Sequence, residues 1–303
     1  MRISIPVVIL ASLIAQTAYA QSSSTVQAST ASDLSCVSDS SWTAPQKPFR
    51  IYGNTWYAGP RGLGVFLITA RSGDVLIDGG VPADASLIEA NVRSLGVNLR
   101  DIKWILNSHA HCDHAGGMAR LAHDIGAQVI AGAEDTSLLA RGGHDDPEYE
   151  DRLTYPPVHV TRAVTDGERL HLGDLELTAH ATPGHTRGTT TWTWKSGEGR
   201  RCMQMVDIGS LSAPGYNLID TRKYPGIVKD FEHSFAMVAA LPCDIALSQH
   251  PDVVHFWERV ARRERGDADA LIDPALCRAD ATDARQSFEA ELAKQRADAP
   301  SAR

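Results

Sequence analysis

A cluster of metal-binding side chains limits what this 303-residue chain can be. Three histidines and one aspartate lie within the run His109-Ala110-His111-Cys112-Asp113-His114, and two more histidines follow at His185 and His250. Several partly buried imidazoles would be costly to desolvate without a metal. Five imidazoles and one carboxylate are about the number needed to hold two zinc ions with positions left for water and substrate. The sequence therefore predicts a site for two metal ions.

The cluster follows an apolar run, 102–106, which we predict to be a strand that ends in a loop. Side chains alternate in an extended segment, so we expect His109, His111 and Asp113 to point the same way. We expect His114 to turn in as a helix begins. By the same alternation Cys112 should point away from the metals, as a buried, unpaired thiol.

These motifs resemble the metallo-β-lactamase superfamily, in which a His-x-His-x-Asp-His loop and two later histidines bind the metals. Within that family the chain resembles the third subclass of class B β-lactamases, from about Trp42 to the C-terminal helix. The most specific match is the run Ser210-Leu211-Ser212-Ala213-Pro214-Gly215-Tyr216, where Ser210 stands in place of the zinc-binding cysteine of the other class B enzymes. Further matches are 77–80, 154–157 and 240–244.

The resemblance implies a ligand set and a reaction. One zinc ion would be held by His109, His111 and His185, and a second by Asp113, His114 and His250. A metal-bound hydroxide, oriented by Asp113, would attack the β-lactam amide of penicillins, cephalosporins and carbapenems, and so confer antibiotic resistance.

Supporting roles are expected for residues around these ligands. Asp78, at the end of a predicted strand, should accept hydrogen bonds that fix the ligand loop. Hydroxyl groups of Ser210 and Ser212 are expected to bind the substrate carboxylate, and Tyr216 to assist at the oxyanion. Trp42 and the turn 155–157 are expected to wall the cleft.

An alternative interpretation depends on Asp207, which lies three residues before the serine loop, the run 210–216. Lactonases and glyoxalase-like thioesterases of the same superfamily carry an aspartate that bridges both metals near this point. If Asp207 faced the metals, the chain would be expected to hydrolyse lactones or thioesters.

The N-terminus predicts export. Residues 1–20 combine a basic start, an apolar stretch and the small-residue site Ala18-Tyr19-Ala20, which is typical of a signal peptide cleaved after Ala20. Residues 21–40 are predicted to be a flexible leader and 41–303 a single domain. We therefore expect a periplasmic or secreted protein with no membrane anchor after cleavage.

The five cysteines fit that compartment, although an odd number leaves at least one unpaired within the chain. The resemblance implies a disulfide between Cys243 and Cys277, which flank the segment that carries His250. Pairing of Cys36 with Cys202 stays open. The formal charge of −8 disfavours nucleic acid as a partner, so we expect a small-molecule β-lactam substrate and a monomer.

Periodicity and the resemblance together give an α/β chain with the αββα sandwich of the family, in which two mixed sheets pack face to face with helices on the outer faces. The ligand loops should then meet along one edge. Strands are predicted near 49–52, 55–58, 64–69, 75–78, 104–107, 128–131, 169–171, 176–179, 190–194, 202–206 and 245–248, and helices near 85–95, 118–125, 227–240, 253–265 and 284–294.

Overall fold

Two mixed β-sheets form the centre of the molecule in the computed structural model, which describes residues 1, 36 and 39–299. The predicted signal peptide and nearly all of the predicted leader lie outside these residues. The strands are β1 (Phe49–Tyr52), β2 (Thr55–Tyr57), β3 (Phe66–Ile68), β4 (Asp74–Ile77), β5 (Ile102–Leu106), β6 (Gln128–Gly132), β7 (Arg162–Val164), β8 (Arg169–Leu172), β9 (Leu175–Ala181), β10 (Thr190–Glu198), β11 (Arg201–Ile208) and β12 (Ile245–Ser248).

The first sheet has seven strands in the order β1 to β7, and the second has five in the order β12-β11-β10-β9-β8. Strands β1 to β4 pair antiparallel, whereas β4 to β7 pair parallel. In the second sheet only the β11–β12 pair is parallel. Parallel neighbours bring the carboxyl ends of β4, β5 and β6 to the same edge, which is where the metal-binding loops begin.

Within the described residues, seven α-helices accompany the sheets: α1 (Ala85–Ser94), α2 (Cys112–Ala115), α3 (Met118–Ile125), α4 (Thr136–Ala140), α5 (Ile227–Ala240), α6 (Phe256–Glu264) and α7 (Leu276–Asp298). The predicted two-sheet sandwich with outer helices is confirmed. None of the described helices combines the length and the apolar character that a bilayer-spanning segment needs.

Strand β5 is packed on both faces. Trp104 and Leu106 lie in the core between the two sheets, and Ile105, which alternates with them, packs on the other side. Ile102 lies on the same side as Ile105, because the register with β4 shifts by one residue after it. A strand buried on both faces reads as a nearly continuous apolar run, which is what the sequence shows here. The strand is therefore fixed on both sides just before the ligand loop leaves it.

The structure departs from the predicted elements in three places. Strand β7 and helix α4 were not predicted, because both are short and contain mixed polar and apolar residues. Helix α7 begins eight residues before the predicted start at Ala284 and extends beyond the predicted end. Its first turns carry Cys277 and Ala281 into the core, and this burial stabilises a segment whose own apolar periodicity is weak.

Candidate metal centre

The ligand loop leaves β5 at Asn107 and enters helix α2 within six residues. His109 and His111 lie in the extended part, but Asp113 and His114 already belong to α2, whose N-cap is His111. The prediction that Asp113 alternates with the two histidines is therefore wrong. A helical turn, rather than a strand, carries the aspartate to its place.

His109 is oriented by a relay that begins at Asp78. The Ser108 hydroxyl donates to Asp78 Oδ2 (2.6 Å), and the Ser108 backbone N–H donates to Asp78 Oδ1 (2.8 Å). Since that hydroxyl hydrogen is used, the Ser108 oxygen accepts from His109 Nδ1 at 3.1 Å. The proton then sits on Nδ1, which leaves the buried His109 Nε2 bare and without a partner among the described residues.

Asp78 itself adopts a strained backbone, with φ of 63°. A non-glycine residue in this region is uncommon and is often found at functional sites. Burial raises the pKa of the Asp78 carboxyl to about 6, against the opposing effects of His114 and the Ser108 hydrogen bonds. Asp78 thus holds the position predicted for it, beneath the ligand loop.

His185 and His111 meet nitrogen to nitrogen. His185 Nδ1 lies 2.7 Å from the Ser212 carbonyl oxygen, which can only accept, so Nδ1 carries the proton and Nε2 is bare. That bare nitrogen lies 3.0 Å from His111 Nδ1. On the other side of the His111 ring, Nε2 lies 3.4 Å from the Asp146 carboxylate. This carboxylate favours the proton on Nε2 and leaves Nδ1 free to bind a metal.

A second group of atoms converges around Asp113. Its Oδ2 lies 3.0 Å from His114 Nε2 and 3.3 Å from His250 Nε2. The two histidine nitrogens are themselves 3.3 Å apart. Only this group has an open side, because the side chains of His250 and Asp113 are 33% and 14% exposed.

The donor atoms fit metal ions in both number and spacing. Candidate ligand atoms of His109, His111 and His185 all lie within 4.8 Å of one another, as do those of His109, Asp113 and His114. Two ligands at about 2.1 Å from a tetrahedral zinc ion are roughly 3.4 Å apart, close to the separations observed here. Bare nitrogens facing each other at such distances would repel without a cation between them.

Electrostatics keep His109, His185 and Asp113 in the forms that bind a metal, whereas Asp113 and Asp78 raise the pKa of His114 against the opposing effect of burial. Burial holds the pKa values of His109 and His185 well below the usual value for imidazole, so both rings are neutral. Burial opposes ionisation of Asp113, yet His114 and His250 together hold the pKa of this carboxyl well below its usual range. Neutral imidazoles and an ionised carboxylate are the forms that ligate a metal.

One carboxylate that was not predicted links the ligand loop to the loop that carries His185. Asp135, at the end of the turn after β6, accepts from the backbone N–H of Ala110 (3.0 Å) and Gly188 (2.8 Å) and from the Thr186 hydroxyl (2.6 Å). Its position beyond the carboxyl end of a strand next to β5 was the signal that could have identified it. Asp146 lies in an acidic turn, Asp145-Asp146-Pro147, with no periodic signal.

The serine loop contributes both an exposed and a buried part. The hydroxyl oxygens of Ser210 and Ser212 lie 3.1 Å apart at the surface, beside His250, where a ligand can reach them. Tyr216, by contrast, is only 2% exposed, and its hydroxyl donates to the His185 carbonyl oxygen at 2.8 Å. The geometry does not support the predicted oxyanion role, since this hydroxyl lies behind His185 and already has an acceptor.

Asp207 does not join either ligand group. It is fully buried at the end of β11, and its Oδ1 accepts a hydrogen bond from Gln249 Nε2 at 2.8 Å. Burial and the nearby charge of Asp78 raise the pKa of its carboxyl well above the usual range. The structure therefore gives no support to Asp207 as a bridging ligand.

Two cysteine pairs lie close together near the site. Cys112 is buried, as expected, and it lies next to Cys36, with Cα atoms 6.2 Å apart. Cys243 and Cys277 have Cα atoms 6.3 Å apart, within disulfide range. Cys202 is exposed and unpaired in the described chain.

Trp42 lies at the open side, with its ring 5.5 Å from that of His250. Tyr155 does not form an exposed wall; it is buried, and its hydroxyl donates to the Ala110 carbonyl oxygen at 2.7 Å. The tyrosine therefore supports the ligand loop from below.

Comparison with known proteins agrees with this geometry. The family model described as metallo-beta-lactamase superfamily matches residues 59–198. Among solved structures, the Rm3 metallo-beta-lactamase is 43% identical, with a TM-score of 0.81, and the match covers 84% of this chain and 97% of that one. The chain belongs to the metallo-β-lactamase superfamily and is a hydrolase of that class.

Within the superfamily the chain resembles subclass B3. BJP-1 of Bradyrhizobium japonicum, a subclass B3 metallo-beta-lactamase, is 37% identical with a TM-score of 0.82, and the match covers 86% of this chain and 99% of that one. A curated relative, the hydroxyacylglutathione hydrolase of Anaeromyxobacter dehalogenans, is 36% identical over 130 residues, 43% of this chain. This chain spans only 41% of the length of that relative.

Proposed function

We propose that this protein is a zinc-dependent β-lactamase that hydrolyses the β-lactam amide of penicillins, cephalosporins and carbapenems. The observation that carries the proposal is the exposed serine pair beside the open side of the metal-binding group. Ser210 and Ser212 line the same cleft as His250, within hydrogen-bond reach of each other. A β-lactam carries a carboxylate next to its ring nitrogen, and two adjacent hydroxyls can donate to it.

The remaining residues have assigned tasks in this proposal. His109, His111 and His185 would hold one zinc ion, and Asp113, His114 and His250 the other. Bound zinc supplies Lewis acidity and a nucleophile derived from water at neutral pH. Asp113 would orient that water through its second oxygen, and Tyr216 would position His185 through the His185 carbonyl group.

A β-lactamase acting at the cell envelope would protect its host from these antibiotics. We infer export to the periplasm or the cell exterior, since residues 1–20 have the composition of a cleaved signal peptide. The acidic net charge of −8 agrees with a small substrate rather than a nucleic acid.

A thioesterase of the same fold is the second candidate, because several curated relatives are hydroxyacylglutathione hydrolases. These matches cover 37% to 44% of the relatives' lengths. The predicted basis for this candidate, a bridging Asp207, finds no support in the ligand groups. β-Lactam hydrolysis is therefore the better-supported proposal.

The test is a comparison of substrates on one purified sample. Zinc-loaded protein is offered a carbapenem, an acyl-homoserine lactone and a glutathione thioester, each with and without a chelator. We expect carbapenem turnover that the chelator abolishes and that added zinc restores. Chelator-sensitive turnover of the lactone or the thioester with the carbapenem left intact would contradict the proposal.

A further inference from the structure

Two cysteines meet beside the ligand loop. Cys36 and Cys112 are 4% and 1% exposed, and their Cα atoms lie 6.2 Å apart, within the range that a disulfide spans. Cys112 stands between the ligands His111 and Asp113, at the start of α2. Cys202, the partner of Cys36 that the sequence left open, is exposed in β11. The geometry therefore favours Cys112 as the partner of Cys36.

Residues 39–44, called here the N-terminal segment, lie at the open side of the metal centre. The segment contains a short 3-10 helix, Ser40–Thr43, and the Trp42 ring is 5.5 Å from the ring of His250. Because His250 is the most exposed of the ligand side chains, an indole beside it can contact the apolar part of a bound substrate. The position of this segment therefore bears on how well substrate is held.

Few contacts of its own hold the N-terminal segment. The Arg61 N–H donates to the Ala44 carbonyl oxygen at 2.8 Å, and the Gly62 N–H donates to that of Ser41, also at 2.8 Å. Gly62 has no room for a Cβ, which would collide with Ser41 Oγ. Yet all four residues of the 3-10 helix are at least partly exposed. A segment with so little buried surface has a low local stability, so a further link would strengthen its hold.

We propose that Cys36 and Cys112 form a disulfide when the chain folds in an oxidising compartment, and that this bond holds Trp42 at the open side and so raises the affinity for substrate. The two thiols lose two protons and two electrons, which a disulfide-bearing oxidant such as oxidised glutathione accepts as it leaves as two thiols. Because both cysteines are buried, the bond forms during folding and is afterwards shielded from reductants.

The bond joins residues 76 positions apart and keeps the start of the N-terminal segment next to α2. Order imposed on a binding wall in advance lowers the entropy that binding must otherwise remove. The effect on substrate rests on the proposed function, whereas the bond and its hold on the segment do not.

Peptide mapping tests the bond without any assay of activity. Trypsin places the three cysteines on different peptides, because it cleaves between them at Arg50, Lys103, Arg120 and Arg201. Full-length protein folded with oxidised and reduced glutathione is denatured, alkylated and digested without reduction. We expect the Cys36 peptide joined to the Cys112 peptide, with Cys202 alkylated. Alkylated Cys36 and Cys112, or a peptide that joins Cys36 to Cys202, would overturn the inference.

Kinetics of Cys36→Ser test the effect on substrate. In the zinc-loaded variant we expect KM for a carbapenem to rise about tenfold and kcat to change less than about threefold, because the metal ligands keep their places. Trp42→Ala should raise KM by a similar factor. Since both changes remove the same contact, the variant that combines them should differ from either one by less than about twofold. The control Cys202→Ser removes an exposed thiol and should keep wild-type kinetics.

Hydrogen exchange measured by NMR separates release of the N-terminal segment from a general loss of folding. The Gly62 amide should exchange at least about tenfold faster in Cys36→Ser than in wild type, while amides of β5 and β11 keep their protection. The variant Cys36→Ala with Cys112→Ala, which leaves no thiol at this place, should behave in the same way.

An unchanged KM or an unchanged Gly62 exchange rate in Cys36→Ser would overturn the inference, as would additive losses when Cys36→Ser is combined with Trp42→Ala. The two proposals can fail separately. If zinc-loaded wild type turns over no carbapenem, the proposed function fails and the effect on substrate fails with it. Peptide mapping and Gly62 exchange then still decide whether the bond exists and holds the segment.

Discussion

At the scale of single residues, the metal centre depends on which nitrogen of each histidine carries the proton. The acceptors that decide this are Asp78 through Ser108, the Ser212 carbonyl group and Asp146. Each lies on the side of its ring away from the proposed metal position. Outer partners of this kind orient a ligand and raise its basicity.

Asp146 provides a direct test of this idea. Asp146→Asn should weaken zinc binding at the His109, His111 and His185 site about 10- to 100-fold, because the His111 ring loses the carboxylate that orients it. Competition with a chromogenic chelator measures the affinity of each site. The exposed neighbour variant Asp145→Asn removes the same charge and should bind zinc as wild type does. Equal affinity of both variants would show that the 3.4 Å contact has no positioning role.

Tyr216→Phe tests whether the Tyr216 hydroxyl acts at the oxyanion or only supports His185. The variant loses one buried hydrogen bond to the His185 carbonyl oxygen, so we expect the free energy of unfolding to fall by about 1 kcal/mol. Because this hydroxyl does not face the open side, kcat for a carbapenem should fall less than about tenfold. A loss of about 100-fold or more with normal zinc content would restore the oxyanion role.

At the scale of secondary-structure elements, the sequence predicts where the loops begin better than how they are joined. The apolar run of β5 and the turn after it identify the start of the ligand loop, since this information is local. The early start of α2 and the role of Asp135 depend on contacts between distant segments. Periodicity carries no signal for either, because a short helix and a single carboxylate have no repeat.

Asp135 is expected to be the main polar link between the two ligand loops. The Asp135 carboxylate accepts hydrogen bonds from three donors. In Asp135→Asn one of its oxygens becomes an N–H₂ group, which cannot accept and therefore faces a donor. We expect the metal-free protein to lose about 2 kcal/mol of unfolding free energy, measured by denaturant titration. Asp124→Asn, on the exposed side of α3, should change that value by less than about 0.5 kcal/mol. Similar values for the two variants would contradict the linking role.

At the scale of the whole molecule, most of the fold could be predicted, because alternating and helical periodicity fixed eleven of the twelve strands and the motif resemblance supplied the sandwich. Ligand residues were found through their unusual local density. The hydrogen bond between Gln249 and Asp207 could not be found in this way, since only the packed chain brings the two residues together. The start of α7 was missed for the same reason.

The central claim is that six side chains form two metal sites, and the zinc content of the purified protein tests it most directly. After zinc loading and removal of free metal, elemental analysis should find about two zinc ions per chain, and about one in each of His185→Ala and His250→Ala. Circular dichroism confirms that the variants are folded. One zinc ion or none in wild type under the same conditions would contradict the account.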